Sequence, residues 1–210
     1  MTNLLDFAIL SFTSLFVIVD PVGLIPAFLV MTRENTVRDR VRMARLASAI
    51  TFGILILSFF FGQRLLSVFG ITLPAFQIAG GIILLLVALD MLQARRTAFK
   101  ETQEEKAEGM AKEDVAVTPM AIPMLAGPGA ITAVILLTNK AETFTHSVIL
   151  ATAITLVSAL TFLILLTVAI RSTALSTIAL KITERLMGLI LAAIAVQFIL
   201  NGILTAHLFS

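Results

Sequence analysis

Val19-Asp20-Pro21-Val22-Gly23-Leu24-Ile25-Pro26 interrupts an apolar run that extends from Leu4 to Met31. As one helix, those 28 residues would be about 42 Å long at a rise of about 1.5 Å per residue. A hydrocarbon core of about 30 Å needs only about 20 residues. Proline lacks an N–H and disfavours helix at the residue before it, so the run is expected to break ahead of Pro21. Proline also suits the first position of a new helix, and Asp20 suits the cap before it. The stretch therefore predicts two half-helices, with a fresh N-terminus near the middle of a bilayer. Irregular backbone at that depth is tolerated only where it is buried in protein or lines a cavity.

The rest of the chain fits a membrane setting. Of 210 residues, 59% are hydrophobic and 13% charged, with a mean hydropathy of +1.04. A soluble domain of this length needs far more polar surface. Apolar runs near 4–31, 46–69, 71–92, 115–138, 148–170 and 186–206 are each long enough to cross as a helix. No basic region precedes the first run and no small-residue cleavage site follows it, so it reads as a span and not a signal peptide. The segments 32–45, 93–114 and 171–185 carry 5, 5 and 3 Lys/Arg, against only Arg64 and Lys140 on the opposite side. The positive-inside rule then makes the first side cytoplasmic and puts both termini in the periplasm of an inner membrane. Residues 93–114, with 11 charges of both signs, read as a solvated loop.

The two halves align at one offset. Pro21 falls on Pro128, Arg64 on Arg171 and Gly81 on Gly188, each 107 residues apart. Shared apolar composition explains matched leucines well, but a matched proline, arginine and glycine poorly. Residues 1–92 and 115–210 therefore read as two repeats joined by the 93–114 loop. Three spans per repeat is an odd number, so the second copy enters from the opposite side. The expected fold is an all-α polytopic membrane protein of six spans, as two inverted-topology repeats of three with spans one and four broken.

Span four carries its own break, Pro123-Met124-Leu125-Ala126-Gly127-Pro128-Gly129-Ala130-Ile131. Single prolines and glycines in membrane helices usually mark kinks or close packing. Two such motifs at corresponding positions point to a transport site. Asp20 strengthens that reading, because an aspartate at the centre of a span costs about 2.5–3.5 kcal/mol and normally faces a cavity and a partner. Asp20 at one break should attract a cation. Gly127 at the other leaves the N–H groups of Gly129 and Ala130 without a competing side chain, and a helix N-terminus favours an anion. A small zwitterion would fit, with its ammonium toward Asp20 and its carboxylate toward Gly129. The candidate substrate-binding set is Asp20, Pro21, Val22, Gly23, Pro26, Gly127, Pro128, Gly129, Ala130 and Thr132. Gly129, in the first turn of a helix, is expected to accept a branched side chain without misfolding. Gln77 and Gln197 are read as interhelical hydrogen-bonding residues.

Asp20-Pro21-Val22-Gly23 with Pro26 and Phe28, and Pro123 with Gly127-Pro128-Gly129-Ala130-Ile131, resemble the MarC family of six-span bacterial inner-membrane proteins, over essentially the whole chain. That family includes archaeal small neutral amino acid transporters, so the resemblance implies transport of glycine- or alanine-like substrates. Alternatives are export of another small solute or drug, and a non-transporting membrane scaffold. A drug exporter needs a roomy aromatic cavity, whereas the breaks offer glycine, alanine and proline. A scaffold needs no mid-membrane carboxylate. Enzymatic activity is not expected: there is no cysteine, and the two histidines, His146 and His207, form no His-Glu-x-x-His motif. No cofactor or metal is expected, with H+ or Na+ as the candidate coupling ion. The expected partners are the lipid bilayer and the amino acid. The net charge of +2 gives no argument for nucleic acid, and oligomeric state is left open.

Overall fold

The computed structural model describes residues 3–33, 35–93, 125–171 and 177–206. Seven helices are described: α1 (Leu4–Val19), α2 (Ile25–Met31), α3 (Val37–Val68), α4 (Leu73–Gln93), α5 (Pro128–Lys140), α6 (Phe144–Arg171) and α7 (Thr177–Thr205). No strand occurs among the described residues. Four stretches are long and apolar enough to cross a membrane: Val37–Val68, Leu73–Leu92, Phe144–Arg171 and Arg185–Thr205. Leu4–Val19 is a shorter apolar helix. Helices are what a lipid environment demands, since each satisfies its own backbone donors and acceptors. The charged 93–114 loop falls, beyond Gln93, outside the described residues, as does His207.

Local chemistry sets several of the boundaries. Asn3 caps α1, its side chain accepting the Leu5 N–H at 3.3 Å. Thr36 caps α3 by accepting the Asp39 N–H at 3.2 Å, while its own hydroxyl donates to the Asp39 carboxylate at 2.9 Å. That helix starts nine residues ahead of the apolar run at 46 and takes Arg38, Arg40, Arg42 and Arg45 into its first turns. Arg40 reaches back to the end of α2, donating to the carbonyls of Thr32 at 3.0 Å and Arg33 at 3.1 Å. A cation there complements the partial negative charge at a helix C-terminus. Between α3 and α4 the chain turns at Gly70, which has φ +65.

The largest helix contacts run between the two halves of the chain and not within them. α4 packs most extensively on α7, followed by α3 on α6 and α1 on α6, with α3, α4 and α1 also meeting α5. α4 and α7 run antiparallel, because Gly81 meets Ala195 and Ile199 whereas Gly188 meets Ala88, Met91 and Leu92. Small residues at this crossing let the backbones approach, which is how helices associate when lipid removes the hydrophobic drive between them. At the start of α6, Thr143 and His146 bond at 2.6 Å. The His146 ring stands edge-on to Phe7 of α1 at a centroid distance of 4.8 Å, fixing α1 beside α6. The buried core is mainly aliphatic, with Leu15, Leu55, Leu125, Leu150, Ile154 and Leu165 enclosed beside Phe7 and Phe28. Outward-facing residues such as Leu57, Phe60, Leu86 and Leu189 are exposed and would meet lipid.

Candidate functional site

Asp20 has φ +47 and ψ +59, alone among the described non-glycine residues in a left-handed conformation. Aspartate tolerates this better than most side chains because its carboxylate bonds locally. Here Oδ1 accepts the Gly23 N–H at 2.9 Å, and the Asp20 carbonyl accepts the Leu24 N–H at 3.2 Å. Asp20 itself donates its N–H to the Phe16 carbonyl at 3.0 Å and closes α1 as its C-cap. The break therefore falls ahead of Pro21, as the sequence predicts, but the new helix does not start there. Residues 21–24 form a turn, and α2 begins at Ile25 with Pro26 in its first turn. The left-handed Asp20 redirects the chain, and the turn engages its side chain and carbonyl before a helix can resume.

The position of Asp20 at the end of α1 sets the electrostatics of the break. Asp20 lies at the negative end of α1, whose last turn carries no basic residue. A carboxylate and a helix C-terminus at one point favour a cation there. Asp20 is 8% exposed and Pro21 is buried, while Val22, Gly23 and Pro26 are half-buried.

At Gly127-Pro128 the predicted helix start is present, whereas Pro123, Met124 and the rest of 115–124, which would form the preceding half-helix, lie outside the described residues. Gly127 is the N-cap of α5, extended at φ −62 and ψ +170, and Pro128 occupies the first helical position. No side chain caps this end, but the Gly127 carbonyl accepts the N–H groups of Ala130 at 2.9 Å and Ile131 at 3.1 Å, so the Ala130 N–H, expected to face an anion, is already engaged by backbone. Gly127 is half-buried and Pro128 exposed. Gly129, Ala130 and Thr132 are buried. α1 and α5 touch each other directly, which brings the helix carrying Asp20 against the helix that starts at Pro128.

α4 forms a wall common to both breaks. A Cβ on Gly129 would collide with the Leu84 side chain, and one on Gly80 with Thr132, so α5 runs antiparallel to α4. The Thr132 hydroxyl donates to the Pro128 carbonyl at 2.7 Å within its own helix. Two turns further along α4, Met91 reaches Gly23: its Cε lies 2.7 Å from where a Gly23 Cβ would stand, beside the Asp20 carboxylate. Seven residues of helix separate Leu84 from Met91, about 10 Å along the axis. Gly129 thus owes its lack of a side chain to Leu84, and the expectation that it accepts a branched residue is not met. Gln197 donates to Asn201 at 2.7 Å along its own helix rather than between helices. No group of three or more His, Cys, Asp or Glu that could hold a metal occurs among the described residues.

Leu84 and Met91 escape the sequence reading. Gly23 and Gly129 signal close approach, but nothing local names the side chain that approaches.

A chain made of helices, several of them apolar and long enough to span a bilayer, is a multi-pass integral membrane protein. Its sequence matches the profile described as "MarC family integral membrane protein" over residues 5–207. The chain belongs to the MarC family. It is 38% identical over 199 residues to the membrane protein MJ1677 of Methanocaldococcus jannaschii, covering 95% of this chain and 97% of that one. It is 35% identical to the membrane protein YvbG of Bacillus subtilis, covering 94% of each. It is 32% identical to the membrane protein YhcE of Escherichia coli, covering 91% of this chain and 89% of that one. No solved structure matches.

Proposed function

We propose that this protein is a secondary transporter of small neutral amino acids, working by alternating access around its two helix breaks. The observation that carries the reading is a pair of opposite helix ends on one wall. The C-terminal end of α1 bears Asp20, the N-terminal end of α5 bears no side-chain cap, and both breaks abut α4 at Met91 and Leu84. The first end suits an ammonium group and the second a carboxylate. Glycine- and alanine-like substrates fit because, among the described residues of the two breaks, glycine, alanine and proline predominate and Thr132 bonds within its own helix.

In this reading the fold is six spans as two inverted repeats of three. The packing supports it: contacts pair α4 with α7 and α3 with α6, and the α1–α6 contact has its counterpart in α3–α5. An exchange of the two halves turns this set of contacts into itself. Both termini lie in the periplasm of the inner membrane, by the distribution of Lys and Arg. Asp20 binds the substrate ammonium or the coupling H+ or Na+, in addition to closing α1.

A binding experiment tests the recognition step. Purified protein is held with alanine or with alaninamide, which keeps the ammonium and lacks the carboxylate, and thermal stabilisation is measured. Alanine should stabilise and alaninamide should not. Equal stabilisation would remove the α5 N-terminus from the site. Scaffold and drug-exporter readings predict no stabilisation by either.

A further inference from the structure

We propose that Met91 sets the upper size limit of the substrate side chain at the Asp20 end of the site. The inference rests on the amino acid reading above and adds a residue that neither break contains.

The side chain of Met91 bridges two elements. Its Cβ lies 2.9 Å from where a Gly188 Cβ would stand, so the stem is held against α7. Its Cε lies 2.7 Å from the corresponding position on Gly23, in the turn closed by the Asp20 carboxylate. The same point on Gly23 also borders Asp20 Oδ2. The thioether tip therefore occupies the space next to that carboxylate. Met91 is half-buried and packs on the edge of the core, with its tip beside the Asp20 carboxylate.

The chemistry of methionine suits this position. An unbranched thioether has three rotatable bonds and no hydrogen-bonding demand. It excludes by volume without recognising anything, leaving the ammonium and carboxylate as the only groups read. Glycine at position 23 leaves room for both the Asp20 carboxylate and the methionine tip, which together border the point a Cβ there would occupy. A pocket that discriminates by apolar size alone separates substrates by about 10–200-fold per methylene, which is ample to prefer alanine over leucine.

The test uses full-length protein in proteoliposomes, with uptake of labelled alanine and competition by unlabelled alanine and leucine. Unmodified protein should show strong competition by alanine and weak competition by leucine. Met91→Ala should raise the potency of leucine relative to alanine about tenfold or more. Leu86→Ala, on the exposed side of the same helix, should leave that ratio unchanged. Should Met91→Ala fold poorly, Met91→Val shortens the side chain without emptying the space, and must shift the ratio in the same direction. A purely structural methionine would lower thermal stability and leave the ratio alone. An unchanged ratio in a folded Met91→Ala or Met91→Val protein that still takes up alanine overturns the inference while sparing the amino acid reading. Absence of alanine uptake by the unmodified protein overturns both.

Discussion

Gly81 of α4 lies against Ala195 of α7, whose carbonyl oxygen is 2.8 Å from where a Gly81 Cβ would stand. Shifting each residue by 107 into the other half gives Gly188 and Ala88, and Gly188 lies against the Ala88 carbonyl with the corresponding distance at 3.2 Å. One contact is made twice with the helices exchanged. That is the behaviour expected of two repeats related by a pseudo-two-fold axis through the α4–α7 crossing.

A first prediction follows from this crossing. Gly81→Val and Gly188→Val each push a branched side chain onto backbone, which cannot yield as a flexible side chain does. Each should destabilise the protein by about 1–3 kcal/mol. Gly53, with open space around its would-be Cβ, is the control, and Gly53→Val should stay within about 0.5 kcal/mol. Thermal unfolding in detergent measures all three. Equal losses at Gly53 and Gly81 would mean that the α4–α7 backbones do not approach in this way.

Topology gives a second. The chain has no cysteine, so single cysteines report cleanly. Asn3→Cys and Ser210→Cys should both be labelled by an impermeant maleimide added outside intact spheroplasts, whereas Glu104→Cys should be protected. Termini labelled from opposite sides would require an odd number of spans, and the inverted repeat would fall with the even number.

The third concerns Asp20. Asparagine at this position would keep what the fold needs, because it also tolerates the left-handed region and can accept the Gly23 N–H. It removes the charge and turns one acceptor oxygen into an amide donor. Asp20→Asn should insert and fold near normally, with transport down tenfold or more. Asp20→Ala loses the cap as well and places a residue without a local bond at φ +47, so its thermal stability should fall by about 1–2 kcal/mol. Near-normal flux from Asp20→Asn would reduce Asp20 to a structural cap.

How much of this is legible in the sequence depends on the range of the cause. The break ahead of Pro21 and the uncapped start at Gly127-Pro128 are local consequences of proline chemistry, and both are visible in the residues. The placement of Asp20 after the last turn of α1, instead of as the first cap of α2, is not. It depends on a left-handed backbone at Asp20, which the following proline permits but does not dictate. The role of Gly129 is hidden for a different reason. A first-turn glycine looks dispensable when judged by backbone freedom, but what it avoids is Leu84, 45 residues earlier in the chain. Gln197 is hidden more simply: its partner, Asn201, lies one turn away on its own helix, and sequence alone does not choose between that bond and one to a neighbouring helix.

Gly129 supplies the fourth prediction. Gly129→Val should cost stability by displacing Leu84, by about 1–3 kcal/mol. Leu84→Ala in the same chain should restore part of that loss, since it vacates the space the valine needs. A double variant no more stable than Gly129→Val alone would show that α5 does not rest on α4 at this point.

The central claim is that the two breaks form a path for a small neutral amino acid. Purified protein in proteoliposomes, loaded with or without a pH or sodium gradient, is given radiolabelled alanine, and accumulation is followed against empty liposomes and against Asp20→Asn. The account predicts uptake by the unmodified protein that is saturable, stimulated by one of the two gradients and strongly reduced in Asp20→Asn. Alanine entry indistinguishable from empty liposomes under every gradient, from protein shown to be folded and inserted, would contradict it.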